Sequence, residues 1–162
     1  MTKLLLIASL FLMPIVAGAQ RQDGEDKWWV GTGETNGQWT VVRALGELPS
    51  SQIRIAHPWG VKVIWVYSHA SDGKISTDEA AREFDFERAL ESRMENQGFA
   101  LEALSVTHGG VHEWTYYASE KDKAVERFES VKQEFPGASI SIEIHRDAEW
   151  NVLRDVLRAA GK

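Results

Sequence analysis

Histidines, carboxylates and hydroxyls crowd one stretch of this sequence, Ser105–Glu113, and each kind of chemistry they suggest can be tested on spacing. His112-Glu113 opens as a zinc-hydrolase motif opens. That motif needs a second histidine one helical turn later, and Glu113-Trp114-Thr115-Tyr116 supplies none. The stretch also has the pattern of a strand, in which neighbouring side chains point to opposite faces. His69, His108 and His112 lack convergent ligand spacing, so no metal or other cofactor is expected. For hydrolysis, Ser105 or Thr107 would need His112 as base and a carboxylate to orient it. The register argued below turns both hydroxyls away from His112. A catalytic alternative is left with Glu113, partnered by His112 or His69. Glu143 reads as a solvated strand residue. Gly31, Gly33 and Gly37 precede no helix whose first amides could meet a phosphate.

The elements that must position these residues are organised around Ala100–Ser119, two strands joined at a glycine turn. A two-residue turn at Gly109-Gly110 pairs Val106 with Glu113 and Leu104 with Thr115, mixing apolar and polar side chains. A three-residue turn, His108-Gly109-Gly110, pairs Val106 with His112 and Leu104 with Trp114. Leu104, Val106, Trp114 and Tyr116 then share one face, and Ser105, Thr107, Glu113, Thr115 and Tyr117 the other. A slip of one residue flips every side chain, so a single apolar face favours the second register.

The first 19 residues read as a signal peptide. Lys3 precedes the apolar run Leu4–Val16, and Ala17-Gly18-Ala19 offers small residues for cleavage before Gln20. The run falls short of the roughly 20 residues that span a bilayer, and Pro14 interrupts it. The expected destination is periplasmic or secreted, without membrane insertion after cleavage. Residues 20–26 read as a disordered polar lead, and 27–162 as a single domain. The 162 residues carry 18 basic and 24 acidic side chains, and this negative balance argues against nucleic-acid binding. The absence of cysteine excludes disulfides and thiolate chemistry.

Lys27–Leu45 predicts a hairpin about Asn36-Gly37, with Trp28, Val30, Trp39 and Val41 on one face. Gly46–Gly60 is a connector. Val61–His69 is almost continuously apolar, as in a central strand covered on both faces. A helix follows with its cap at Thr77, and Phe86, Ala89, Leu90 and Met94 form its stripe. A second helix, capped at Ser119, turns Ala124, Val125, Phe128, Val131 and Phe135 inward. Ser139–His145 alternates, with Ile140, Ile142 and Ile144 inward. Asp147 caps a last helix with Trp150, Leu153, Val156 and Leu157 along one side. The predicted fold class is α+β, a ferredoxin-like βαββαβ antiparallel sheet with an added N-terminal β-hairpin and a C-terminal helix.

Several pieces together resemble the bacterial "domain of unknown function 695" family. They are HPWGVKVIWVY over 57–67, Glu87-x-x-Leu90, Thr107-x-x-Gly110-x-x-Glu113-Trp114-x-x-Tyr117, and Asp147-x-x-Trp150. His112 stands where the family pattern often carries arginine. The resemblance implies the fold and brings no established activity. Some relatives look fused to a module similar to the regulator of ribonuclease E activity B, which implies a cytoplasmic partner. The leader sequence separates this chain from that compartment, so the role is not carried over.

The expected function is a small exported, non-catalytic binding or interaction module for a small ligand or a protein partner. The alternatives are a hydrolase using Glu113 with His112 or His69, and a structural accessory protein. Strand parity sends Ile64 and Val66 toward the helices, and so places Trp65 and Tyr67 on the other face, beside Glu113 and Tyr117. These four are the expected ligand-binding residues. Aromatic walls about one carboxylate suit a cationic or polar-aromatic group.

Overall fold

The computed structural model describes residues 28–35, 38–68 and 75–162. The expected signal peptide (1–19), the polar lead (20–26), the Asn36-Gly37 turn and His69 lie outside the described residues. In chain order the elements are β1 (Trp28–Thr35), β2 (Gln38–Leu45), α1 (Ser51–Ala56), β3 (Trp59–Val66) and α2 (Thr77–Met94). There follow β4 (Ala100–His108), β5 (Val111–Ala118), α3 (Lys121–Lys132), β6 (Ser139–Arg146) and α4 (Asn151–Ala159). The class is α+β. The six strands form one sheet in the order β1-β2-β4-β5-β3-β6, with every neighbouring pair antiparallel. This differs from a four-stranded arrangement, because the β1–β2 hairpin extends the sheet at the β4 edge. No helix among the described residues is long and apolar enough to cross a membrane.

Local chemistry explains most of the boundaries. Ser76, one residue before the expected cap, accepts the Glu79 amide and starts α2, with Asp78 and Glu79 in its first turn. Glu120 rather than Ser119 precedes α3, and its side chain makes no capping bond. The connector contains a short helix, α1, that the sequence pattern does not show. Ser50 caps it by accepting the Ile53 amide.

The β4–β5 register is the one that sequence reasoning set aside. His108 pairs with Val111, Val106 with Glu113 and Leu104 with Thr115. The turn is therefore Gly109-Gly110, with φ of 51° and 81°, both in the left-handed region that a two-residue hairpin turn requires. An irregularity between Glu102 and Leu104 shifts the register by one residue at Ala103. Leu104 and Val106 consequently face α4, while Trp114 and Tyr116 face α2 and α3.

Two cores result, one on each side of the sheet. On one side, Val61, Val63, Trp65, Trp114 and Tyr116 pack against Phe86, Leu90 and Met94 of α2 and Phe128 and Val131 of α3. On the other, Trp29, Val42, Ala44, Ala103, Leu104 and Tyr117 pack against Trp150, Leu153, Val156 and Leu157. Ile142 and Ile144 pack against the first core beside buried Ile140, as their alternation predicts.

Candidate functional site

The four expected ligand residues do not share a face. Trp65 pairs with His112 across the sheet and lies 1% exposed against Phe86, ring centroids 5.3 Å apart. It belongs to the helix-facing core, and Ile64 and Val66 turn the other way. Tyr67 packs against the same core, its hydroxyl donating to Glu83 at 2.9 Å. Glu113 and Tyr117 point to the opposite side. Glu113 lies 3.4 Å from Lys62 and 3.7 Å from His108. Tyr117 is buried beneath α4, stacked on Trp150 and donating to Asp147 at 2.8 Å. The correction lies in the parity of β3: Val61, Val63 and Trp65, rather than Ile64 and Val66, turn toward α2 and α3. On β5, Trp114 and Tyr116 stay toward the helices, and Glu113 and Tyr117 point away from them. His112 and Glu113, as strand neighbours, are likewise separated, so a Glu113–His112 catalytic pair is not assembled.

The structure assembles a different polar cluster, along the side of α2. Glutamates recur every fourth residue from Glu79 to Glu95, and that spacing aligns them on one flank of the helix. Glu83 is buried and accepts from both Tyr67 and His112 Nδ1. His112 stacks on Trp114 at 4.0 Å, and Trp114 Nε1 donates to Glu87 at 3.0 Å. Further along, the Glu102 amide donates to Glu95, while the Glu102 carboxylate lies 3.5 Å from Arg43 Nη1. Arg43 is held in turn over the Trp28 ring, 4.0 Å from its centroid.

Burial governs the protonation of this flank. It pushes Glu102 up from 4.5 to about 7, with Arg43 opposing the rise and Glu87, Glu95 and Glu91 adding to it. Burial also raises Tyr67, helped by the charge of Glu83 and its hydrogen bond. Tyr116, directly across from Glu102, is raised by burial and then by Glu102, Glu95, Glu87 and Glu91. Its hydroxyl is buried and makes no hydrogen bond among the described residues. Such an orphan costs about 1–3 kcal/mol.

A folded protein that binds the Glu102 proton more tightly than its unfolded chain loses stability as pH rises from 4.5 through about 7. Glu102→Gln should flatten that slope and stabilise the protein above pH 7 by on the order of 2 kcal/mol. Urea unfolding across the interval measures it. A variant less stable than the wild type above pH 7 would mean that attraction to Arg43 outweighs the burial of Glu102.

Beyond this flank the sheet is open at its outer strands, β1 and β2. Thr32, Val41, Thr107 and His112 form one cross-strand row, and Val30, Arg43, Ser105 and Trp114 the next. α2 stands over the His112 and Trp114 ends. At the other ends Val30 is 52% exposed, and Trp39, on the same face nearer the hairpin tip, is 66% exposed. Trp28, Val30, Trp39 and Val41 thus share a face as expected, but it is the α2 side, and they lie flat in the sheet rather than over it. Thr107 and Ser105 also share the His112 face, which the rejected register had denied. Neither hydroxyl is hydrogen-bonded to His112. Among the described residues, no group of three or more histidines and carboxylates is placed to hold a metal ion.

Glu83 and Glu102 were missed as site residues. The four-residue spacing of glutamates was visible, as was a lone carboxylate within the otherwise apolar Ala100–Leu104. Their burial was not.

A six-stranded antiparallel sheet, cored on both faces and bordered by this acidic flank, defines a small α+β domain. The family model for DUF695, a family of unknown function, matches residues 26–158, and the chain belongs to that family. No curated protein and no solved structure matches it. The motif residues divide between two places. Glu87 and Trp114 join the acidic flank, whereas Tyr117, Asp147 and Trp150 fasten α4.

Proposed function

We propose that the protein is a small exported, non-catalytic recognition module that takes a positively charged partner or ligand on its α2-side face. The observation that carries this reading is the juxtaposition of Glu87 and Glu91 with outer strands bearing exposed Val30 and Trp39. Carboxylates beside apolar and aromatic surface recognise a cation with an apolar body. The same surface disfavours nucleic acid, whose phosphates it repels. The inner strands, ordered β4-β5-β3-β6 with α2 and α3 on one face, support a ferredoxin-like βαββαβ unit carrying a hairpin and a helix as additions. The leader sequence supports a periplasmic or secreted address. An N-terminus at or near Gln20 on the exported protein, read by mass spectrometry, is the expected result.

Hexalysine serves as a defined cationic probe. Binding measured by tryptophan fluorescence should weaken steeply with salt and fall at least tenfold in a Glu87→Gln/Glu91→Gln variant. Undiminished binding in that variant would refute the assignment of the face. The hydrolase alternative would now rest on Glu83 and His112, since Nδ1 of His112 is held by Glu83. Turnover abolished by Glu83→Gln in a folded protein would favour it.

A further inference from the structure

We infer that the occupant of this face is an amphipathic helix of a partner protein, with an apolar stripe bordered on one side by lysines or arginines. The inference rests on the reading of the α2-side face as a recognition surface. Its first support is shape. α2 and α3 cover the sheet from β4 outward to β6, and the same side of β1 and β2 keeps Val30 and Trp39 exposed. Strands spaced about 4.8 Å apart set β1 roughly 10 Å from the covered border at β4, the width of one helix. A helix laid there would sit beside α2 as α2 sits beside α3, extending the layer by one member.

The second support is chemistry. The floor offers Val30, Thr32 and Val41, with Trp39 toward the hairpin tip. A strand added to the β1 edge would leave this floor uncovered, whereas a helix would bury it. The α2 wall presents half-buried Glu87 and exposed Glu91, one helical turn apart, whereas Glu83 is buried and taken by Tyr67 and His112. Basic residues repeated every fourth position on the partner would meet that wall in register. Arg43 does not fill the role, because it is committed to Glu102 and to the Trp28 ring. With Arg43 paired to Glu102, exposed Glu91 leaves the charge balance negative where the second helix would lie.

The test uses the exported protein and a designed helical peptide of about 14 residues, roughly four turns, with leucines on one stripe and lysines along one border. Three comparison peptides carry glutamates for the lysines, two central prolines, or the same composition scrambled. The expected result is binding of the first alone, with amide shifts at Val30, Trp39, Val41 and Glu91. Trp39→Ala and Glu91→Lys should each weaken it at least tenfold. Both residues are exposed, so both variants should fold. Glu126→Lys, on the exposed side of α3, should leave binding unchanged. Restored binding of the glutamate peptide to Glu91→Lys would fix the pairing. Equal binding of the proline peptide would overturn the helix while leaving cation recognition intact. Failure of every cationic peptide would overturn both. A concentration-dependent dimer that protects Trp39 would replace the partner with a second copy and overturn the inference.

Discussion

Trp65→Ala should destabilise the protein by about 3–5 kcal/mol, the range for removing a large aromatic side chain from a packed core. Trp65 is 1% exposed and lies among Val63, Phe86 and Trp114. Phe86 touches Trp65, Trp114 and Phe135 with ring centroids 5.3, 5.7 and 5.3 Å away, so deleting the indole opens one side of a four-ring cluster. The cavity would sit between central strand β3 and α2, where neither element can close it without shifting. A second substitution separates packing from polarity. Trp65 Nε1 is buried and unpaired among the described residues, so Trp65→Phe removes an unsatisfied donor while keeping much of the ring volume. It should cost well under half as much as alanine. Urea unfolding of both variants provides the measurement. A Trp65→Ala protein within about 1 kcal/mol of the wild type would return this residue to an open surface.

The sequence was most legible where one physical constraint dominated. The β1–β2 pairing followed from Asn36-Gly37, and Trp28 indeed faces Leu45 across the strands. The stripes of α2, α3 and α4 followed from helical spacing, as buried Phe86, Phe128 and Leu153 illustrate, except that Val125, expected inward on α3, is 37% exposed. The β4–β5 register was not legible because the sheet is buried on both sides. An argument from one apolar face then has two correct answers. Leu104 of β4 serves the α4 core and Trp114 of β5 the α2 core, and the irregularity at Ala103 puts both Ala103 and Leu104 of β4 into the α4 core. The separation of Ser105 and Thr107 from His112 was inferred from that register and fell with it. The grouping of Trp65 with Glu113 failed independently: β3 is apolar at nearly every position, so its side chains do not say which parity meets the helices, and Val63 and Trp65 do so rather than Ile64 and Val66. The acidic flank was hidden for another reason. Glutamates spaced by four usually mark a solvated helix face, and only the tertiary position of β4 and β5 buries Glu83 and pairs it with His112.

Trp150→Ala should cost a further large amount, again about 3–5 kcal/mol, by releasing α4 from the sheet. Trp150 is fully buried, stacked on Tyr117 at 3.9 Å with planes 7° apart, and its Nε1 donates to the His57 carbonyl at 3.0 Å. Asp147 completes the fastening. Its carboxylate accepts the Asn151 and Val152 amides at 2.9 and 3.3 Å, and the Tyr117 hydroxyl at 2.8 Å. Burial alone would raise the Asp147 pKa, but these hydrogen bonds outweigh it and hold the group below 3.8. The contribution of Asp147 is therefore complete above the ordinary aspartate range and is lost as pH falls through the depressed value. Trp150 also holds φ at 56°, a left-handed conformation that costs a non-glycine residue about 1–2 kcal/mol. Glycine escapes that strain and alanine does not. Trp150→Gly should accordingly be about 1 kcal/mol less damaging than Trp150→Ala, although both lose the stack. Urea unfolding can rank the two, and far-UV circular dichroism can follow α4. If alanine proved as stable as glycine, the backbone strain would not be real. If neither lost stability, α4 would not be held by this residue.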